Sequence, residues 1–302
     1  MRAIEFAEYG GSDVLRGRDV DLPEPGPGQV RVAVRVAGVN PFDWKLRSGA
    51  MAGVVRLSLP HRPGLELAGV VDAAGAGAPA AVGDEVFGWA ETGSYAEYAL
   101  ASVIAAKPRA LTWRDVAALP TAGEAALRGL RLLDVGEGDV LLVHGAAGAV
   151  GGFATQLAVA RGATVIGTGG DRSADTIRSS GATPVRYGDG LVERVRAVSP
   201  RVDAVLDAAG RGALPDSVEL RGGTDRVLTL ADTAAFDLGI PFSSGEPGGQ
   251  SADVLTELAD LAATGRLVVR HARSYPLAEA ARAQDDSATG HSGGKITLDV
   301  RG

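Results

Sequence analysis

From Val30 to Val36 the chain reads Val-Arg-Val-Ala-Val-Arg-Val, apolar at every second position. That is the period of a strand with one face in a core. Runs of similar texture follow at 70–73, 85–87 and 95–100, separated by turn-rich stretches such as 21–29 (DLPEPGPGQ) and by Gly83-Asp84. Residues 1–112 therefore predict an all-β lobe. The pattern changes at Thr112, where 115–119 and 123–133 are rich in Ala and Leu and read as helices. Asp139 opens an apolar run at 140–143, then a small-residue turn, a helical period through Phe153, Leu157 and Ala160, and a second apolar run at 164–168. Helices are predicted at 173–180 (closed by Gly181), 191–198 and 252–263, and strands at 204–207 and 227–230. Strands alternating with helices imply a parallel, doubly wound sheet over 113–265. The tail 266–302 returns to strand texture at 267–270 and 296–300 around a helix at 277–284, and is expected to rejoin the first lobe. A cleft between the two lobes is the default site.

Chemistry concentrates in the turn after Asp139. Ala146, Gly148 and Gly151 hold the three positions of a G-x-G-x-x-G pattern, with alanine first. Ala147, Ala149 and Val150 between them are also small or uncharged. Such a turn lets backbone approach a pyrophosphate at a helix N-terminus, where unpaired N–H groups and the helix dipole favour negative charge. Any tight turn can show this pattern; the strand before it and the helix after it point to a dinucleotide site.

Composition narrows the classes. A chain of 302 residues with 45% hydrophobic and 22% charged content has the material for two soluble domains. Its net charge of -7 argues against nucleic acid or an acidic membrane as partner, because no basic excess exists to release counterions. No stretch has the length of a membrane span, no signal peptide is recognisable, and a cytoplasmic protein is expected. With no cysteine, disulfides, thiolate nucleophiles and cysteine-ligated zinc are excluded.

Several segments stand in order along the chain: Gly38-Val39-Asn40-Pro41 with Asp43, Pro63-Gly64-x-Glu66-x-Ala68-Gly69, Gly83-Asp84-Glu85-Val86, Gly93 to Tyr98, Leu119 to Gly123, His144 to Gly151, Gly290-His291 and Gly294-Lys295-Ile296. Together they resemble the quinone oxidoreductase (zeta-crystallin-like) family of zinc-independent medium-chain dehydrogenases/reductases. The resemblance implies a GroES-like β domain, a Rossmann domain and a homodimer. Related zinc alcohol dehydrogenases would carry cysteine at Asn40, histidine at Leu65 and cysteine near Thr121. Leucine cannot ligate a metal and neutral Asn and Thr are poor zinc ligands, so no metal site is expected. What remains is hydride transfer from a nicotinamide to an electrophilic acceptor, a quinone or an α,β-unsaturated carbonyl.

Asn40, Asp43 and Lys45 are the catalytic candidates that the resemblance implies. Lys45 stands where quinone reductases more often have tyrosine. Near Asp43 it would bond the cofactor ribose or donate a proton; otherwise it is a solvated lysine on a surface turn. Phe42, Trp44 and Trp89 are expected to line an aromatic acceptor pocket, unless some of them are core. By family position Ala209, Gly210, Leu230, Ala231, Pro241, Phe242 and Ser243 lie near the nicotinamide. Where the family reads Gly-Leu-Thr-Ala, this chain has Gly123-Glu124-Ala125-Ala126, so the threonine hydroxyl that helps place the ring is missing. Glu124 either replaces a contact or is a first-turn helix acid, the preferred reading.

The choice of dinucleotide follows from the end of the second strand of the turn unit. NAD sites place a carboxylate there, but Thr168, Gly169 and Gly170 are uncharged and Arg172 suits a 2′-phosphate. NADPH is favoured, with Asp171 the complication unless it points away or pairs with Arg172. Tyr187 resembles the family tyrosine beside the adenosine phosphate, or is a plain surface tyrosine. His144 ends a buried strand and is expected to make structural hydrogen bonds; His61, His271 and His291 show no metal spacing. Ser94, Ser243 and Ser244 lack a nucleophile-elbow setting. The leading expectation is an NADPH-dependent quinone or enone oxidoreductase. Two alternatives stand beside it, an enoyl reductase acting on a thioester or biosynthetic intermediate and a catalytically idle NADPH-binding structural or redox-sensing protein.

Overall fold

A computed structural model describes residues 1–245, 250–290 and 292–301. His291 lies outside them. The chain forms two compact units, one of Met1–Thr121, Gln250–Gly265 and Val269–Gly302, the other of Ala122–Gly249 and Arg266–Val268. Segments 113–121 and 250–265, expected with the doubly wound domain, thus fall in the first unit.

The first unit opens with an antiparallel pair, β1 (Arg2–Glu5) and β2 (Arg16–Asp19). Then come β3 (Val30–Val39), helix α1 (Pro41–Arg47), β4 (Glu66–Ala74), β5 (Glu85–Trp89), β6 (Tyr98–Ala101), β7 (Ile104–Ala106) and helix α2 (Trp113–Ala117). The alternation of β3 is real: Val30, Val32 and Val34 are fully buried between half-buried neighbours. Each contributes about 1.5–3 kcal/mol by burial. From Val36 to Val39 every residue of β3 is buried; one edge of the strand carries β6 over Val30–Ala33 and a later strand over Val36–Val39, while β4 runs along the other.

The second unit holds α3 (Pro120–Leu132) from Ala122 on, β8 (Val140–His144), α4 (Ala149–Ala160), β9 (Thr164–Gly169), α5 (Ala174–Ser179), β10 (Thr183–Arg186), α6 (Leu191–Val198), β11 (Ala204–Asp207), α7 (Leu214–Arg221), β12 (Val227–Thr229) and α8 (Ala235–Leu238). Its sheet is wholly parallel, in the order β10-β9-β8-β11-β12. That is the doubly wound order, and ligands of such sheets bind outside the carboxyl ends where the order reverses. Phe242 adds a parallel bridge to Thr229 beyond β12.

The chain then returns to the first unit through α9 (Ala252–Ala263), β13 (His271–Pro276), α10 (Ala280–Thr289) and β14 (Lys295–Asp299). β14 pairs antiparallel with β3, and β13 parallel with β14. α2 packs on β4, and α9 on β7. No strand forms at 267–270. Leu267 is buried and Gln156 brackets Val268, accepting from its N–H at 2.8 Å and donating to its carbonyl at 3.1 Å. That leaves β13 to begin at His271.

Candidate functional site

In the second unit the expected cofactor residues gather at the carboxyl ends of the strands. After β8, Gly145 takes φ 74°, a left-handed conformation that favours glycine, and the Ala146 N–H donates to the Thr168 carbonyl of β9 at 3.1 Å. Gly148 caps α4, and a Cβ at Gly151 would collide with the Gly145 carbonyl oxygen. The turn therefore lies directly under the first turn of α4, whose leading N–H groups have no intrahelical acceptors. Residues 145–151 carry no charged side chain. This cradle fits a pyrophosphate. Gly145 was absent from the sequence candidates, although a glycine straight after an apolar strand is a turn signal.

The ends of β11 and β12 are tied by Asp207. Its buried carboxylate accepts from the Ala209 and Gly210 N–H groups at 2.9 and 3.0 Å and from Thr229 Oγ1 at 2.8 Å. Thr229 Oγ1 in turn accepts from the N–H groups of Ala231 and Asp232. A Cβ at Gly145 would stand 3.2 Å from that of Ala209, and one at Gly210 2.8 Å from that of Ala231. Leu230 donates to the Asp207 carbonyl, and the Pro241 carbonyl and the Ser243 N–H both bond Thr229. Thus Ala209, Gly210, Leu230, Ala231, Pro241, Phe242 and Ser243 are neighbours.

Glu124 differs from the preferred expectation. Because α3 begins at Pro120, Glu124 lies in its second turn, where it pairs with Arg128 at 2.7 Å. Arg128 also donates to Ser243 Oγ. His144 is buried between Thr168 Oγ1 at 3.1 Å and Ser217 Oγ at 3.0 Å, and burial lowers its pKa. It is a structural residue.

At the ends of β9 and β10, Gly170 lies against Tyr187: a Cβ there would be 3.6 Å from the ring and hydroxyl. Tyr187 is half exposed. Asp171 pairs with Arg186, not with Arg172, at 3.9 Å. Arg172 is exposed and makes no ion pair or side-chain hydrogen bond among the described residues.

The first unit holds a buried polar cluster that sequence reading found only in part. Asn40 donates from Nδ2 to Glu66 Oε1 at 2.8 Å and accepts at Oδ1 from Lys295 Nζ at 2.6 Å. Lys295 also bonds Glu66 directly, and the Thr121 N–H donates to Glu66 Oε2 at 2.8 Å. Glu66 and Lys295 are 0% and 3% exposed, so their charges compensate each other out of water. Gly38 makes room, since a Cβ there would strike Glu66.

Lys45 does not meet Asp43. Both are on α1, a helix rather than the surface turn considered above, and residues two apart on a helix do not face each other. Asp43 is buried. It accepts from the Asn40 N–H at 2.8 Å, Tyr95 Oη at 3.1 Å and the Gly64 N–H at 3.3 Å. Burial pushes its carboxyl up to about 7, against the pull of the Asn40 and Tyr95 hydrogen bonds. Lys45 is half buried, with Nζ 5.8 Å from the Trp44 ring. Trp89 is core at 5% exposure; Phe42 and Trp44 are partly exposed, and Trp44 Nε1 is buried with no hydrogen-bond partner among the described residues.

At the positions of the zinc ligands in alcohol dehydrogenases, the chain has Asn40 held by an ammonium, Leu65 and Thr121. Among the described residues no group of three or more His, Cys, Asp or Glu is placed to hold a metal, and no helix is long and apolar enough to cross a membrane.

Residues 26–108 match the alcohol dehydrogenase GroES-like domain, and 175–298 the family described as zinc-binding dehydrogenase. Quinone oxidoreductase of Rattus norvegicus is 30% identical over 324 residues, covering 98% of this chain and 96% of that protein. The chain belongs to the quinone oxidoreductase family. Two solved members extend the likeness to the fold. Quinone oxidoreductase of Coxiella burnetii, 31% identical, superposes with a TM-score of 0.90 over 100% of this chain and 99% of that one. The Escherichia coli quinone oxidoreductase, solved as a complex with NADPH, is 26% identical with a TM-score of 0.88 over 99% and 100%. Family membership accounts for the glycine turn and the doubly wound order.

Proposed function

We propose that this chain is an NADPH-dependent oxidoreductase that delivers a hydride to a quinone or an α,β-unsaturated carbonyl without a metal. The observation that carries the reading is the uncharged cradle at 145–151, closed so tightly that a Cβ at Gly151 has no room. N–H groups at the start of α4 would hold the pyrophosphate, Arg172 the 2′-phosphate, and Gly170 and Tyr187 the adenosine end. Bound NADPH supplies the reactive hydride. Ala209, Gly210, Leu230, Ala231, Pro241, Phe242 and Ser243 would fix the ring by backbone approach, a role the Asp207 and Thr229 network supports by holding those turns.

Asn40 cannot rotate its amide freely. Its oxygen is committed to Lys295 and one N–H to Glu66, leaving the second N–H to bond a ribose hydroxyl or an acceptor oxygen. The Asn40 oxygen that a cation would need already accepts from Lys295, which supports a metal-free reaction. As hydride reaches the β-carbon of an enone, or a quinone ring, a proton must reach the product. Lys45, half buried on α1, is our candidate donor. Asp43 supports the site from beneath, as the capping residue that fixes Asn40 at the start of α1. Phe42 and Trp44 are the aromatic surfaces offered to an acceptor, while Trp89 is core. The same reading includes a homodimer, as the family resemblance implies, and a cytoplasmic location.

Acceptor-dependent loss of NADPH absorbance is the test, with an ortho-quinone and a cyclic enone, in a chelator and beside NADH. Turnover that resists the chelator and falls in Lys45→Met is expected. Chelator-sensitive turnover overturns the metal-free reading, and full activity in Lys45→Met removes Lys45 as donor.

A further inference from the structure

We propose that Arg186 is a specificity-determining residue, acting through Asp171: it neutralises a carboxylate that would otherwise select against the 2′-phosphate of NADPH. This rests on the NADPH reading above. A dinucleotide site that lies at the end of the second strand and reads the ribose hydroxyls does so with an acidic side chain. Asp171 stands within two residues of that end. Left alone, its carboxylate would accept from the 2′-hydroxyl of NADH and repel the 2′-phosphate of NADPH.

The sheet supplies the remedy. β10 runs parallel to β9 with Arg186 opposite Gly169, so the guanidinium arrives from the neighbouring strand, 3.9 Å from Asp171 Oδ1. Nothing local in sequence announces this partner. The adjoining turn is then locked by Arg194, which donates to the carbonyl oxygens of Arg186, Tyr187, Gly188 and Asp189, at 3.0, 3.4, 2.9 and 2.7 Å. Tyr187 is fixed against Gly170 by the same turn, its N–H bonded to the Gly169 carbonyl at 3.3 Å. With Asp171 paired, Arg172 has no ion-pair or side-chain hydrogen-bond partner among the described residues and is available to the phosphate. Asp171, Arg172 and Arg186 together thus carry one net positive charge.

Asp171 and Arg186 are both mostly exposed, at 78% and 67%, so their pair adds little to folding and its removal leaves the unit intact. Its effect on a phosphate a few ångströms away is larger. A change of one charge at such a distance near the surface corresponds to roughly tenfold in affinity, and it is screened by salt.

Calorimetric dissociation constants for NADPH and NADH test this in the full chain, for wild type, Arg186→Gln, Asp171→Asn and the double variant. Arg186→Gln is expected to weaken NADPH about tenfold and to leave NADH unchanged or tighter, the effect shrinking at high salt. Asp171→Asn in that background should restore most of the loss, while alone it changes NADPH binding less. A purely structural role would weaken both dinucleotides together. Equal weakening, an unchanged ratio, or failure of Asp171→Asn to restore NADPH binding overturns the assignment while the wild-type preference stands. Equal wild-type affinities for the two dinucleotides overturn the NADPH reading itself, and the pair's role with it.

Discussion

Asp43 gives the sharpest physical prediction. Burial raises its carboxyl from 3.8 to about 7, with the Asn40 N–H and Tyr95 hydroxyl lowering it less than burial raises it. A raised folded pKa means that the contribution to stability is full below 3.8 and is lost as pH climbs through 7. One pKa unit is worth about 1.4 kcal/mol, so the full loss is about 4 kcal/mol, of which about 3 is gone by pH 6. Between pH 6 and pH 8 a further loss of about 1 kcal/mol remains to be measured. Asp43→Asn keeps an oxygen for Asn40 or Tyr95 and has no charge to desolvate. Urea denaturation of both proteins at pH 6, 7 and 8 isolates the group, because other titrations are shared. The difference should move toward the variant by about 1 kcal/mol across that range. A pH-independent difference, or a carbon-13 carboxyl titration with a midpoint near 4, refutes the reasoning.

Two other perturbations follow from the geometry. Lys295→Met leaves Glu66 buried and unpaired, and thermal unfolding should report a loss of about 3–5 kcal/mol that Glu66→Gln in the same chain largely repairs; no repair would mean that Lys295 acts by packing alone. Gly151→Ala forces α4 away from the Gly145 carbonyl and should weaken dinucleotide binding at least about tenfold by calorimetry; unchanged affinity would remove the cradle from the cofactor site.

The sequence carried whatever is local. The apolar run of β8, the small-residue turn and the period of α4 each lie within one short window, and the alternation of β3 was legible for the same reason. α1 was legible too, although only a surface turn was weighed there, as an alternative for Lys45: Asn40, Pro41 and Asp43 supply an N-cap, a proline at the first helical position and an acid at the third. Residues 267–270 have strand texture without a strand, because Leu267 and Val268 are claimed by the second unit. What sequence could not disclose was partnership across distance. Lys295 lies 255 residues from Asn40, and Asp171 meets Arg186 only through the register of β9 and β10. Glu124 was misplaced by a few residues in the start of α3, enough to turn a helix-end acid into half of an ion pair.

The central claim is direct hydride delivery to an activated acceptor by a metal-free site. NADPH carrying deuterium at the transferable C4 position, incubated with a cyclic enone and a chelator, tests it most directly by mass spectrometry and NMR of the product. The account predicts a saturated ketone with a single deuterium at the β-carbon and unchanged yield with the chelator. Product without deuterium at that carbon, or turnover abolished by the chelator, would contradict it.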